Sequence, residues 1–318
     1  MIELAYLQLQ AAKGIGPAKQ RRVLQLALET GESLEEVISR SASQTLKDAG
    51  LSNEQMEILR SSSELARQWA SKIKNAQIKI IGLLDDNYPR ALKQRLGINT
   101  PPIIAVWGNI DLLEIPSVGF CGLRDASTQG IEFTIDAAQQ VAQMAWIIVS
   151  GNARGIDEAA HREALQNGGA TIIVAPSGIL DVRLRNSYRE MVNSQNALVI
   201  SEFQPNARWS TANAMTRNKT ICALSSALII VESGLEGGTF EAGNFALKLG
   251  ARLFVADYAS PSDNASGNQF FLERGAKPIR RSKDSGRANL TEVFESSKSS
   301  TAENASSVSG QFVQGKLF

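Results

Sequence analysis

Eight short apolar runs separated by longer amphipathic stretches constrain this chain more than any other feature. The runs are IKIIGLL at 78–84, IIAVW at 103–107, SVGFC at 117–121, WIIVS at 146–150, TIIVA at 171–175, ALVIS at 197–201, ALIIV at 227–231 and RLFVA at 252–256. They are rich in β-branched residues and lack polar alternation, so they read as strands buried on both faces. Between them, segments such as IEFTIDAAQQVAQMA and DEAAHREALQNG carry apolar residues at helical spacing. Parallel neighbours need a crossover long enough to hold a helix, so this alternation builds βαβ units. The expectation is an α/β fold: a mainly parallel sheet with helices on both faces.

The flanks differ from the middle. Residues 1–75 show only helical spacing, with Leu4, Leu7, Leu24, Leu26, Val37, Ile38, Leu46, Ile58 and Leu59 in phase, which predicts a small helical domain. Its first two helices are joined by KGIGPAKQRR, Lys13 to Arg22, a glycine turn with Pro17 opening the next helix. Turn amides beside Lys19, Arg21 and Arg22 could meet a phosphate, or the segment could be a plain helix–helix turn. The sheet domain spans 76–283. A tail, 284–318, contains SSKSSTAENASSVSG at 296–310 and is expected to be disordered, being too polar to bury a core.

Charge and rare residues exclude several function classes. Lys and Arg total 33 against 32 for Asp and Glu, so no global basic field attracts nucleic acid, and any such site must be a local cluster. The two cysteines, Cys121 and Cys222, sit in separate apolar stretches and read as buried thiols. A single histidine, His161, cannot build a histidine-rich metal site. No stretch approaches the roughly 18 apolar residues of a membrane span, and the N-terminus lacks a basic signal region, so a cytoplasmic location is expected.

Four strand-following loops carry candidate chemistry. In WIIVSGNARGIDEAAHREAL, 146–165, Ser150, Gly151 and Gly155 permit a tight turn before a helix whose free amides and dipole suit a phosphate. The spacing is not GxGxxG, so a dinucleotide fingerprint is absent. Asp157 falls where an N-cap would sit and competes for those amides; His161 reads as a structural side chain. In ALIIVESGLEGGTFEAGNFALKLG, 227–250, Gly237 and Gly238 precede Thr239, a good N-cap. That loop is either a tight turn or the second wall of one cleft beyond the strand ends. In GFCGLRDASTQG, 119–130, Gly122 and Arg124 follow a strand; Arg124 pairs with Asp125 or clamps a phosphate. In MTRNKT, 215–220, Arg217, Asn218 and Lys219 stand at a helix start shortly after Arg208 and Trp209, a stacking ring beside cations. No arrangement suggests nucleophilic catalysis, a metal ion or a cofactor.

Taken together, these residues resemble the DNA-processing protein A (DprA/Smf) family from about Lys13 to Ile279. The resemblance rests on GIGP, NYPRALK (87–93), PPIIAVWGN (101–109), GLR (122–124), SGNARGIDEAAHREAL (150–165), SEF (201–203), RNK (217–219) and GNQFFLERGAKPI (267–279). It implies an extended Rossmann-like domain behind a small helix-hairpin-helix or SAM-like domain. It also implies single-stranded-DNA binding without enzymatic turnover, a homodimer, and transfer of the strand to the RecA recombinase in transformation. By the same resemblance Gly122, Arg124, Ser150, Gly151, Gly155, Arg217, Asn218 and Lys219 line the DNA-phosphate pocket.

The chain departs from the family pattern at several points. It has GLR for GSR and RNK for RNR, and SGILDVRLRNSY (177–188) lacks a Tyr-Pro pair. GGTFEAG (237–243) looks more like the GGT-plus-glutamate element of LOG-like nucleotide phosphoribohydrolases. In that reading Arg124 holds a 5′-phosphate and Glu241, offset by one position, assists glycosidic cleavage; a nucleotide sensor would bind without turnover. The stretch after the sheet is too short for the winged-helix domain that many members carry. Instead Gln314, Leu317 and Phe318 fit QxxLF, a loose form of the peptide that docks on the DNA sliding clamp.

Overall fold

The computed structural model describes residues 2–40, 43–260 and 265–295. Six helices open the chain: α1 (Ile2–Ala11), α2 (Pro17–Thr30), α3 (Leu34–Ser39), α4 (Gln44–Asp48), α5 (Asn53–Ser61) and α6 (Ser63–Asn75). Local chemistry sets their ends. Pro17 starts α2, and Gly31 ends it in the left-handed conformation at φ 70°. Ser33 and Ser52 open α3 and α5 through capping boxes with Glu36 and Gln55.

All eight apolar runs form strands: β1 (Lys79–Gly82), β2 (Ile103–Gly108), β3 (Ser117–Cys121), β4 (Ile147–Ser150), β5 (Thr171–Val174), β6 (Ala197–Ser201), β7 (Ala227–Ile230) and β8 (Leu253–Ala256). A ninth, β9 (Lys277–Ile279), joins them without an apolar run, because Lys277 and Pro278 are exposed. The nine form one sheet in the order β1-β2-β6-β5-β4-β3-β7-β8-β9. The pairs β1–β2 and β2–β6 are antiparallel; every other pair is parallel.

Among the described residues, six more helices of seven or more residues cover the sheet. On one face lie α7 (Arg90–Leu96), α10 (Thr211–Leu224), α11 (Gly238–Leu249) and α12 (Ser266–Leu272), packed on Ile147, Val149, Ile172 and Ile230. On the other lie α8 (Thr128–Gln143) and α9 (Ile156–Gln166), packed on Ile148, Phe120 and Ile229. Both faces of a parallel strand are thus buried, which is why its sequence shows no polar alternation.

The helical domain does not stand apart. Its Leu9, Val23 and Leu24 belong to the same apolar cluster as Ile80, Ile103, Ile173 and Val199 of the sheet. Polar contacts tie the seam: the Arg21 guanidinium donates twice to the Thr100 carbonyl, at 3.2 and 2.9 Å. The Tyr6 hydroxyl donates to Asp85 at 2.7 Å, and the Gln204 amide to the Gln10 carbonyl at 2.6 Å. The change at residue 75 is therefore one of secondary structure, while the core runs through it.

Residues 284–295, expected in a disordered tail, pack on the sheet layer instead. Ala288, Leu290 and Val293 are buried, and Phe294 meets Trp146 edge-on at 5.1 Å. The Ala288 amide and the Arg287 guanidinium both donate to Asp136, at 2.6 and 2.7 Å. A few apolar residues among polar ones suffice where a preformed groove accepts them. The rest of the tail, with Gln314, Leu317 and Phe318, lies outside the described residues. Among the described residues no helix is long and apolar enough to cross a membrane.

Candidate functional site

Strand order places the site. From β3 the chain builds outward through β4, β5 and β6, then returns to the other side of β3 with β7, β8 and β9. A crevice opens beyond the carboxyl ends of strands where the order reverses, here between β3 and β7. Two adjoining cavities occupy that rim. The first, about 850 Å³, lies beyond β4–β6; among the described residues Arg124, Arg154, Arg183, Arg185, Arg208 and Arg217 line it, with Asp181 the single carboxylate. The second, about 570 Å³, lies beyond β3 and β7. Gly122, Gly237, Gly238 and Thr239 line it, with Arg124 and Arg217 facing Asp125, Asp157 and Glu236. Arg124, Ala153, Trp209 and Arg217 line both cavities.

The glycines of the β4–α9 loop serve internal packing. Gly155 has φ 75°, and a Cβ there would meet the Leu123 carbonyl oxygen at 2.4 Å and that of Arg124 at 2.6 Å. The loop after β4 thus lies directly on the loop after β3. At Gly151 a Cβ would fall 2.0 Å from the Arg217 guanidinium, so the space above this glycine belongs to an arginine. Ser150 is fully buried, and its hydroxyl donates to the Phe120 carbonyl at 2.7 Å. That corrects its expected place in a phosphate pocket: it bonds neighbouring strands.

Arg217 organises the floor between the cavities. Its side chain is 7% exposed and pairs at 3.5 Å with Asp157, also 7% exposed. Asp157 sits in the first turn of α9, with Gly155 at the N-cap position, and accepts from the Ala153 amide at 3.3 Å. Arg217 Nη1 donates to Asn218 Oδ1 at 2.8 Å, and Asn218 Nδ2 donates to the Gly238 carbonyl at 2.9 Å. Thr239, expected as an N-cap, instead donates its hydroxyl to the Gly122 carbonyl at 2.9 Å; Gly237 holds the cap position of α11. These bonds join the loops after β3, β4 and β7 through one buried guanidinium.

His161 supports the same floor. It is fully buried, which pushes its pKa down to about 4 and keeps the ring neutral. Nε2 lies 2.5 Å from the Gly151 carbonyl, an acceptor, so the proton sits there. Nδ1 lies 2.7 Å from the Thr171 hydroxyl, which donates to the Ile148 carbonyl at 2.9 Å. The two buried thiols are free; burial pushes Cys121 up and Cys222 up to about 12. They do not supply a nucleophile at neutral pH.

The remaining expected residues divide. Arg124 is exposed, with its guanidinium 5.3 Å from the Trp209 ring. Lys219 joins neither cavity: it lines a cleft with Pro17, Arg21 and Leu96, its ammonium 5.7 Å from the Phe245 ring. Two cations of the GIGP segment are committed to packing, Arg21 at the Thr100 seam and Lys19 on Gln55 at 2.7 Å. Arg154, Arg183 and Arg185 were not singled out from sequence. The signal for the last two was available: two arginines two residues apart in a loop that follows a strand. Asn152 fixes that loop, donating to the Arg183 carbonyl at 2.8 Å, and its own carbonyl accepts from Arg185 Nε at 3.2 Å.

The family model described as DNA recombination-mediator protein A matches residues 79–288. DNA processing protein DprA of Streptococcus pneumoniae is 31% identical over 204 residues, 64% of this chain and 71% of that protein. The X-ray structure of DNA processing protein A (DprA) from Streptococcus pneumoniae aligns with a TM-score of 0.73 at 26% identity, covering 88% of this chain and 94% of that one. DNA processing protein A from Helicobacter pylori, whose structure concerns a unique single-stranded DNA binding mode, aligns with a TM-score of 0.56 at 26% identity, covering 64% and 90%. Against several other relatives the chain spans 42–50% of their length. The family match runs from the first strand to the buried segment after the last, takes in every loop that forms the two cavities, and shows that the chain belongs to the DNA recombination-mediator protein A family.

Proposed function

We propose that this chain binds single-stranded DNA in the arginine-lined cavity and, as a recombination mediator, passes the strand to the RecA recombinase. One observation carries the reading: six guanidinium groups and one carboxylate line a single cavity of a chain whose net charge is only +1, two of the six, Arg154 and Arg217, being paired with Asp125 and Asp157 at 2.9 and 3.5 Å. Guanidinium forks match phosphate oxygens in bidentate geometry, and backbone contacts carry no sequence information. The cavity's size favours a single strand: about 850 Å³ holds a ligand of a few nucleotides, not a duplex. The resemblance supports a homodimer, a cytoplasmic location and a role in transformation. It also leaves Gln314, Leu317 and Phe318 as a docking peptide for the sliding clamp; recovery of clamp by the full chain and not by one lacking residues 314–318 is the expected pull-down result.

Binding without turnover is favoured over LOG-like hydrolysis because Glu241 is exposed and lines neither cavity. Fluorescence anisotropy with single- and double-stranded oligonucleotides over a salt series tests the proposal. Single strands should bind more tightly, with affinity falling steeply as salt rises, because each neutralised phosphate releases counterions. Arg124→Ala should weaken binding on every sequence and lower the salt slope by about one. Equal affinity for duplex, or indifference to salt, would overturn it.

A further inference from the structure

At the opposite rim of the sheet, beyond the amino ends of β3 to β6, lies an open groove of about 370 Å³. Leu112, Ile115, Trp146 and Ile147 give it apolar walls, and among the described residues no charged side chain lines it. Its shape follows from how α8 ends. Ala145 takes the left-handed conformation at φ 55°, and the Trp146 amide donates back to the Val141 carbonyl at 3.1 Å. That turn leaves the indole half-buried on the surface, beside Ile115, which is 37% exposed. We propose that this groove is the docking site for the chain's own segment 311–318, QFVQGKLF.

The path of the chain names this occupant. Phe294 meets Trp146 edge-on at 5.1 Å, so the described chain ends, at Glu295, on the groove's own wall. The polar stretch 296–310 follows, and large apolar side chains return at Phe312, Leu317 and Phe318. Fully extended, that stretch reaches about 50 Å, far more than the groove requires. A tether of this kind sets an effective concentration on the order of millimolar, so even a weak apolar contact is populated. Charge selects the same site. The segment carries Lys316 and no acidic side chain, so the arginine-lined cavity repels it while the uncharged groove does not. Gln195, exposed on the groove's rim, offers an amide to an extended backbone. The groove and the arginine-lined cavity lie at opposite strand ends, so this inference does not depend on DNA binding. A docked segment is closed to other partners, and a sliding clamp has to compete for it.

Hydrogen exchange of the full chain without DNA, read by mass spectrometry, tests the docking. In the parent, the amides of 311–318 should exchange about tenfold more slowly than in the free peptide of the same sequence. Leu317→Asp/Phe318→Asp should abolish that protection and speed exchange across 110–116 and 143–147. Ile115→Glu, which puts a charge into the groove, should free the segment equally. Because the contact is within one chain, protection should be unchanged at about tenfold lower protein concentration. Exchange of 311–318 at the free-peptide rate in the parent overturns the docking. Protection that survives Ile115→Glu places the segment elsewhere, and protection that fades on dilution assigns it to a second copy; either result overturns the proposal. If Ile115→Glu does not fold, the double variant decides: unchanged exchange across 110–116 and 143–147 removes the groove as the site.

Discussion

The arginine-lined cavity and the glycine-lined crevice share a rim, a wall and two arginines, yet their origins in sequence are opposite. The crevice is made of the loops that announce themselves, GLR, SGNARGID and EGGT. The cavity draws its charge mainly from Arg183, Arg185 and Arg208, which belong to no recognisable motif, with Arg154 added from the SGNARGID loop. The glycines let loops and a buried arginine approach each other, as at Gly151 and Gly155; they build the floor. The exposed arginines standing on that floor supply the ligand-facing charge. Recognisable spacing therefore marks the scaffold of this site more than its contacting surface.

Separating floor from surface yields the largest expected effect. Asp157→Ala leaves the Arg217 guanidinium buried without its counter-charge and should lower unfolding free energy by about 4 kcal/mol in urea titration. Arg183→Ala, at an exposed position of the same cavity, should stay within about 0.5 kcal/mol of the parent while weakening DNA binding. Equal stability losses in the two variants would erase the distinction.

Next is the histidine beneath the floor. Its folded pKa, about 4, lies below its ordinary 6.5, so the unfolded chain takes up this proton first. The neutral ring's contribution is complete above about pH 6.5 and is lost as pH falls toward 4, about 3 kcal/mol across the window. Glu202, raised by burial, gives a slope of opposite sign, so the comparison is with His161→Gln, whose stability should fall less on acidification. Parallel pH profiles for the two proteins would show that the ring does not support the Gly151 carbonyl.

The smallest effect belongs to Lys219. Because it lines the cleft beside Pro17 and Arg21, Lys219→Ala should change dT affinity by less than about twofold. A tenfold loss would mean that the strand's path extends toward the helical domain.

How much of this was legible depended on burial. Strands enclosed on both faces must be apolar throughout, so β1 to β8 were readable as runs. β9 is short and exposes Lys277 and Pro278, and Leu290, Val293 and Phe294 are few in a polar stretch, so neither segment had a run long enough to read. The crevice loops were found, but Ser150 shows the limit of motif reading: a hydroxyl beside a glycine turn suggests a ligand, and only the three-dimensional neighbour, the Phe120 carbonyl, shows what it bonds. Arg183 and Arg185 required knowing that the loop after β5 folds onto the rim beside the loop after β4, a long-range contact carried by Asn152.

The central claim is that exposed arginines of the first cavity neutralise DNA phosphates. Its most direct test is the slope of log affinity against log salt for a dT oligonucleotide bound by the parent and by the Arg183→Ala/Arg208→Ala double variant. The slope should fall by about two in the double variant. An unchanged slope, with the double variant binding as the parent does, would contradict the account.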